Sequence, residues 1–247
     1  VNVVALKDSE KVSAIVGASD LKDENLFLVL TTTSGRIKRV RLEEYANINR
    51  AGLITMVLKD KENLVGALLA GEEDDVILVT EGGMSIRFSV SEIRARHRAA
   101  GGVKGITLNP KDRVVSSDIA VSDSKLLVIS KNGFGKLTDL NRYRRQGRGG
   151  SGVKTLNVTR KTGKLAAAQV IADSDEVYVL SEKAQVIRTS LAEIRSTGRA
   201  TQGVTIFKPA PGDSVASIAC VGEFEVPEPS SEILTALTNG RSKEKVP

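Results

Sequence analysis

The sequence predicts an all-β fold, a radial array of repeats of about 50 residues with roughly four short strands each. Three observations predict it. Short apolar runs recur at one interval: LFLVL at 26–30, VILVT at 76–80, LLVIS at 126–130 and VYVLS at 177–181. Each run leads into a turn-like segment: TTTSGR, EGGMS, KNGFG and SEKAQ. A glycine then returns at the same interval, at Gly52, Gly102, Gly152 and Gly203. Helical periodicity is not sustained over a window of about 11 residues, which argues against helix-pair repeats.

Within a unit the elements follow in order. The apolar run is the first strand. Gly35, Gly83 and Gly133 supply the positive φ of a tight turn. The fourth turn, around Lys183 and Ala184, lacks glycine and is expected to differ. The second strand carries a cation: Lys38, Arg87, Lys136 and Arg188, read as one recurring position. An apolar anchor follows at Leu42, Val90, Leu140 and Leu191, with a packing residue at Tyr45, Ile93, Tyr143 and Ile194. A basic loop then runs to the recurring glycine. After it comes a third strand, with Met56, Ile106, Leu156 and Phe207 at one phase and Leu58, Leu108 and Val158 two residues on. The unit closes on NLVGALLA, RVVSSDIA, KLAAAQVI or SVASIACV.

These readings place β repeats over 1–222, with units near 26–70, 76–121, 126–171 and 177–222. Residues 1–18 read as the end of one more blade, because VNVVAL matches LITMVL and KVSAIVGA matches the closing run. Val1 starts in mid-pattern, so the sequence is expected to be a fragment of a larger protein. Residues 19–25 form a polar connection. Residues 223–247 hold three of the six prolines and read as a flexible C-terminal tail.

Composition restricts the chemistry. The 247 residues carry a net charge of +6, which favours a polyanionic partner. No apolar run approaches the roughly 18 residues of a membrane span. One cysteine, Cys220, and one histidine, His97, are too few for an ordinary zinc site. Cys220 sits in an apolar run and reads as a core residue; His97 sits among arginines and reads as basic surface. No nucleophile with its base can be assembled, and no catalytic site is expected in this chain. Aromatic residues are 3% of the chain, too sparse for a platform that stacks single-stranded bases.

The loops before the recurring glycine read ANINRAG, RARHRAAGG, RRQGRGGSG and RSTGRATQG. Arg98, Arg148 and Arg199 share a phase, and Arg50 has a related place in a shorter loop. Equivalent positions in a radial array lie at equivalent places around it, so the cations form a belt. A belt suits duplex DNA, whose phosphates bind Lys and Arg largely through counterion release. The expected contacts are Arg50, Arg94, Arg96, Arg98, Lys104, Arg142, Arg144, Arg145, Arg148, Lys154, Arg195 and Arg199. Arg36, Lys38, Arg39, Arg87, Lys136 and Arg188 are secondary candidates; the post-turn cations among them read equally as pairings with a neighbouring unit.

GRIKRVRLEEYANINRAGLI, IRFSVSEIRARHRAAGGVKGITL, NGFGKLTDLNRY and LAEIRSTGRATQGVTIF resemble the C-terminal domains of the DNA gyrase A proteins, over residues 1 to about 222. The resemblance implies a propeller-like β-pinwheel, a six-bladed disc whose blades exchange strands. It implies wrapping of duplex DNA on a basic rim in support of negative supercoiling. It implies partnership with the remainder of the gyrase A protein and with the gyrase B protein in a heterotetramer, in a bacterial, nucleoid-associated cytoplasmic setting without membrane contact. ATP and Mg would be used elsewhere in that enzyme, and this chain would need no cofactor. The family's Gln-Arg-Arg-Gly-Gly-Arg/Lys-Gly box does not occur here; RRQGRGG, from Arg144 to Gly150, shares its composition in another order. The rivals are the related domain of topoisomerase IV and a propeller-like protein-interaction scaffold.

Overall fold

The computed structural model describes residues 10–48, 52–172 and 174–222. Residues 1–9, Arg50 and the predicted tail at 223–247 lie outside them. Unit one contains β1 (Leu26–Thr32), β2 (Arg36–Arg41) and β3 (Leu64–Gly71). Unit two contains β4 (Asp75–Thr80), β5 (Met84–Ser89), β6 (Val103–Lys104) and β7 (Val114–Ile119). Unit three contains β8 (Lys125–Ser130), β9 (Phe134–Asp139), β10 (Val153–Lys154) and β11 (Leu165–Ile171). Unit four contains β12 (Glu176–Ser181), β13 (Val186–Ser190), β14 (Val204–Thr205) and β15 (Val215–Val221). A single turn of 3₁₀ helix follows each second strand, and its first residue is the buried anchor, Leu42, Val90, Leu140 or Leu191.

Units two, three and four each give one short strand to the sheet before it. The sheets run β3-β1-β2-β6, β7-β4-β5-β10 and β11-β8-β9-β14, all pairs antiparallel, and the last runs β15-β12-β13. This is the strand exchange expected of a pinwheel. The closing strands β3, β7, β11 and β15 pack against one another in sequence. Ser116 Oγ donates to Ala168 O at 2.5 Å, and Val170 N donates to the Asp118 carboxylate at 2.8 Å across that seam. The donated strands therefore lie at the opposite, outer edge.

The apolar runs of units two and three read as continuous because both faces of β4 and β8 are covered. Val76 and Leu78 face unit one, in a core with Val29, Ile37 and Ala70. Ile77 and Val79, one residue out of step, face unit three with Leu126 and Val128. Leu127 and Ile129 then turn to unit four, against Val177 and Val179. Successive strand side chains point to opposite faces, so alternate residues of a single run serve two cores. Three of the four cores among the described residues draw on two units; the fourth, around Val40, Leu42 and Tyr45, lies within unit one.

The hairpin turns show why their glycines are needed. Gly35, Gly83 and Gly133 have φ of +76°, +81° and +77°. Their carbonyls accept two N–H groups each from the donated chain: Gly105 and Ile106, Thr155 and Leu156, Ile206 and Phe207. A Cβ on Gly133 would stand 1.8 Å from Phe207 O. The fourth turn was expected to differ, but it keeps the same geometry. Ala184 takes φ of +62° and its N–H bonds Ser181 O at 3.0 Å, as Gly133 N bonds Ser130 O. Among the described residues no chain crosses that turn, so a Cβ has room there.

Two expectations need correction. The strand after the recurring glycine is only two residues long in units two to four, and residues 52–58 of unit one form none. Ile106, Leu156 and Phe207 are buried as expected, but they follow the strand, where the chain bends over the neighbouring turn. Residues 11–18 were read as a closing strand; they form no strand, and Ile15 is 91% exposed. A closing strand pairs with the first strand of its own unit, and residues 10–18 have no such partner among the described residues.

Candidate nucleic-acid interface

The basic loops of units two, three and four leave the 3₁₀ turn of their own unit and cross to the outer edge of the sheet before it. Backbone bonds fix the crossing at each junction. Arg96 N donates to Arg39 O, Gln146 N to Arg87 O, and Thr197 N to Leu137 O, at 2.8–3.1 Å. The recurring glycine ends the crossing against backbone: a Cβ on Gly152 would lie 2.2 Å from Ser85 O, and one on Gly203 2.4 Å from Gly135 O. The donated strand then begins.

This path places the loop cations on one edge. Arg94, Arg144 and Arg195 occupy one phase, are exposed, and have no side-chain partner among the described residues. Arg96, Lys104 and Lys154 are likewise exposed without a side-chain partner there. Arg98, Arg148 and Arg199 also share a phase and are half-buried. Arg148 Nη1 donates to Lys104 O at 2.5 Å, and Arg199 Nη1 to Lys154 O at 3.1 Å. Each thus ties its loop to the donated strand of the preceding unit while part of its guanidinium stays accessible. Arg145 is half-exposed and pairs with Asp75, Nε to Oδ1, at 2.8 Å. Arg142 is exposed and lies 3.5 Å from Asp139. Arg50 lies outside the described residues.

The secondary candidates do not behave as one set. The sequence reading placed Lys38, Arg87, Lys136 and Arg188 at one position. The strand registers split them: Lys38 faces Leu30 and Lys136 faces Val128, whereas Arg87 faces Ile77 and Arg188 faces Tyr178. Counted back from the anchors, the equivalents of Lys38 and Lys136 are Ile86 and Ile187, and those of Arg87 and Arg188 are Arg39 and Leu137. A one-residue slip exchanges the two faces of a strand.

Lys38 and Lys136 point inward, 1% and 0% exposed. The Lys38 ammonium donates to Thr55 O, Arg98 O and Ala100 O. The Lys136 ammonium donates to Gly198 O, Arg199 O and Thr201 Oγ1. Burial lowers both to about 8, and Arg199 nearby pushes Lys136 the same way. These lysines fasten the basic loops from beneath and meet no solvent. The pairing with a neighbouring unit, left open by the sequence, is what they do.

The arginines among the secondary candidates have carboxylate partners, Arg36 on the face of Lys38 and the others on the opposite face. Arg36 holds Glu62, whose carboxyl lies far below the ordinary range, chiefly through that bond and despite burial. Arg39, 7% exposed, pairs with Glu72 at 2.9 Å and lies 4.5 Å over the Phe27 ring. Arg87 pairs with Asp75 at 2.8 Å, and Arg188 is bidentate to Glu176.

Among the exposed cations outside the predicted set, one lies beside the basic loops. Arg41 shares a cleft of about 770 Å³ with Glu43, Glu44, Arg94, Arg96 and His97. Its signal was present: it ends β2 immediately before the anchor Leu42. Tyr45 and Tyr143 are buried packing residues, and burial pushes the Cys220 thiol up to about 12, far from nucleophilic use.

The family model "DNA gyrase C-terminal domain, beta-propeller" matches residues 27–70, 74–120, 124–172 and 175–222. The chain belongs to the DNA gyrase C-terminal domain family. The matched segments coincide with the four structural units. The DNA gyrase A protein of Dehalogenimonas lykanthroporepellens is 38% identical over 229 residues, covering 90% of this chain and 28% of the relative. The chain thus spans little more than a quarter of that relative's length. A solved DNA gyrase A C-terminal domain superposes with a TM-score of 0.79 at 26% identity, covering 88% of this chain and 73% of that one. A solved C-terminal domain of DNA topoisomerase IV has the same fold, with a TM-score of 0.82 at 23% identity over 98% of this chain and 74% of its own. Within this gyrase C-terminal domain family member, no helix among the described residues is long and apolar enough to cross a membrane.

Proposed function

We propose that this domain binds duplex DNA without base readout and holds it in a bend along the outer edge of the array. The observation that carries this reading is the row of exposed, unpartnered arginines at one phase, Arg94, Arg144 and Arg195, joined by Lys104 and Lys154 on the donated strands. Bending a few tens of base pairs costs on the order of 1–6 kcal/mol. Phosphate contacts spread over successive units offset that cost in a way one patch could not. The role fits the gyrase membership: the domain wraps DNA for an ATP-dependent type IIA topoisomerase and supports negative supercoiling. The breakage and ATPase chemistry belongs to the remainder of the gyrase A protein and to the gyrase B protein, and the setting is the bacterial nucleoid.

The test is the salt dependence of binding to a random-sequence duplex. Log K should fall with log salt, with slope about −0.9 per phosphate neutralised. Changing Arg94, Arg144 and Arg195 together to Ala should make the slope shallower by roughly 0.9 for each phosphate no longer neutralised, with folding unchanged. An identical slope would remove these residues from the DNA path.

A further inference from the structure

Two of the three junctions between units carry a built-in anion. At the first, the Glu44 carboxylate accepts the Arg98 N–H at 2.9 Å and lies 3.5 Å from His97 Nδ1. At the second, the Glu92 carboxylate accepts the Arg148 N–H at 2.8 Å. Glu44 and Glu92 occupy one repeat position, immediately before the packing residues Tyr45 and Ile93. Arg98 and Arg148 likewise occupy one position, so the same peptide N–H is bound by the same carboxylate twice.

At the third junction that position is Arg142, immediately before Tyr143. The equivalent N–H belongs to Arg199, and no described residue accepts it. Arg142 Nη1 lies 3.9 Å from where a Cβ on Gly198 would sit, beside the peptide that His97 occupies at the first junction. The Arg199 side chain itself bonds Lys154 O at 3.1 Å and leaves part of its guanidinium free. Beneath, the buried Lys136 ammonium holds Gly198 O and Arg199 O inward, which turns the loop's outer surface towards solvent. The acid nearby is Asp139, 3.5 Å from Arg142 Nε and 40% exposed. The loop backbone has kept its form, one negative charge has been replaced by a positive one, and the N–H is left open.

We propose that the third junction binds a phosphate-class anion in the place that a glutamate carboxylate fills at the first two. Arg199 N–H supplies the directional bond, and Arg142 and the Arg199 guanidinium supply charge. The occupant is a phosphodiester of the DNA backbone. That choice of occupant rests on the function proposed above; the anion site itself does not.

Two measurements on the whole chain test this. The first is the salt slope for a random duplex, for the wild type, Arg142→Glu, Glu92→Arg and Arg160→Glu. Arg142→Glu restores the acid of the other junctions, and Arg160→Glu is a charge-matched control at an exposed site on another loop. Arg142→Glu should make the slope shallower by about one phosphate and weaken binding about tenfold or more at moderate salt. Glu92→Arg should steepen it, and Arg160→Glu should leave it nearly unchanged. The second is thermal stabilisation by inorganic phosphate against chloride of equal ionic strength, expected for the wild type and absent in Arg142→Glu. Loss of the phosphate effect with no change in the DNA slope keeps the anion site and excludes DNA as its occupant. A wild type that does not bind duplex DNA overturns the function above, while the phosphate arm still decides the site. Equal phosphate stabilisation of the wild type and Arg142→Glu, with equal slopes, overturns the proposal.

Discussion

The junctions between units one and two and between units three and four are built around a buried lysine, and the junction between units two and three is not. Lys38 and Lys136 each gather oxygens of the next unit's basic loop around one ammonium group. At the middle junction the same position is Ile86, fully buried among apolar side chains. There the loop is secured from the other face of the strand: Asp75 lies between Arg87 and Arg145, 2.8 Å from each. Both solutions hold a cationic loop against a sheet edge, with opposite electrostatics. A buried lysine adds positive charge beneath a positive loop and is held by neutral oxygens. A buried aspartate removes positive charge from the surface by engaging Arg145. The middle loop is the richest in arginine, and it is the one in which the fold neutralises some of that charge.

The largest effect should come from breaking the middle solution. Asp75→Asn leaves Arg87, on a strand interior, and Arg145 without their shared carboxylate. Breaking a largely buried pair costs about 3 kcal/mol, and that loss should appear as a lower denaturant midpoint. Hydrogen exchange should quicken at the Gln146 N–H, which bonds Arg87 O beside the pair. Unchanged exchange there would mean that backbone bonds alone hold this loop.

Breaking the lysine solution should cost somewhat less. Lys136→Met keeps the apolar stem and leaves Gly198 O, Arg199 O and Thr201 Oγ1 without their donor, for about 2 kcal/mol. Its pH dependence separates the two kinds of junction. Lys136 is lowered to about 8 in the folded chain, from an ordinary value near 10.5. Between these values the unfolded chain binds more protons, so this group's contribution to stability rises with pH across that window and is flat below it. The gap between wild type and Lys136→Met should therefore widen from pH 8 towards 10.5, whereas the gap for Asp75→Asn should stay constant there. A gap that closes with rising pH would mean the ammonium is not desolvated.

The repeat, the strands and the loop cations were legible in the sequence because each rests on composition at a fixed interval. The exchange of strands was not legible from periodicity; it came from the family resemblance. A two-residue strand such as Val103–Lys104 leaves no pattern of its own. The fate of the post-turn cations was not legible either. In a strand, identity of charge says nothing about face, and the hairpin of unit two places its cation one residue further from the glycine than those of units one and three. Counting from the buried anchors Leu42, Val90 and Leu140 would have separated Lys38 from Arg87. Taking a cation after each turn, without fixing its distance from the glycine, merged them. The partners that neutralise loop arginines were hidden for a related reason. Asp75 is 70 residues from Arg145 in sequence, and only the radial closure of neighbouring units brings them together.

The smallest expected effect concerns the hairpin that no described chain crosses. At the first three hairpins the turn glycine faces a carbonyl of the donated chain, and a Cβ on Gly83 would approach Leu156 O to 2.6 Å. The fourth has Ala184 at φ of +62°, in the same turn and with the same Ser181 bond. The left-handed conformation costs a residue bearing a Cβ about 1–2 kcal/mol, and glycine removes that cost while giving the unfolded chain more freedom. Ala184→Gly should therefore stabilise the domain by only about 0.5 kcal/mol in chemical denaturation. The sign of the change is decisive. If Ala184 packed against a crossing chain, removing its methyl group would forfeit that packing and lower the midpoint. A rise would show that backbone strain at this turn is unrelieved, and that the fourth hairpin differs from its three counterparts in what lies over it rather than in how it turns.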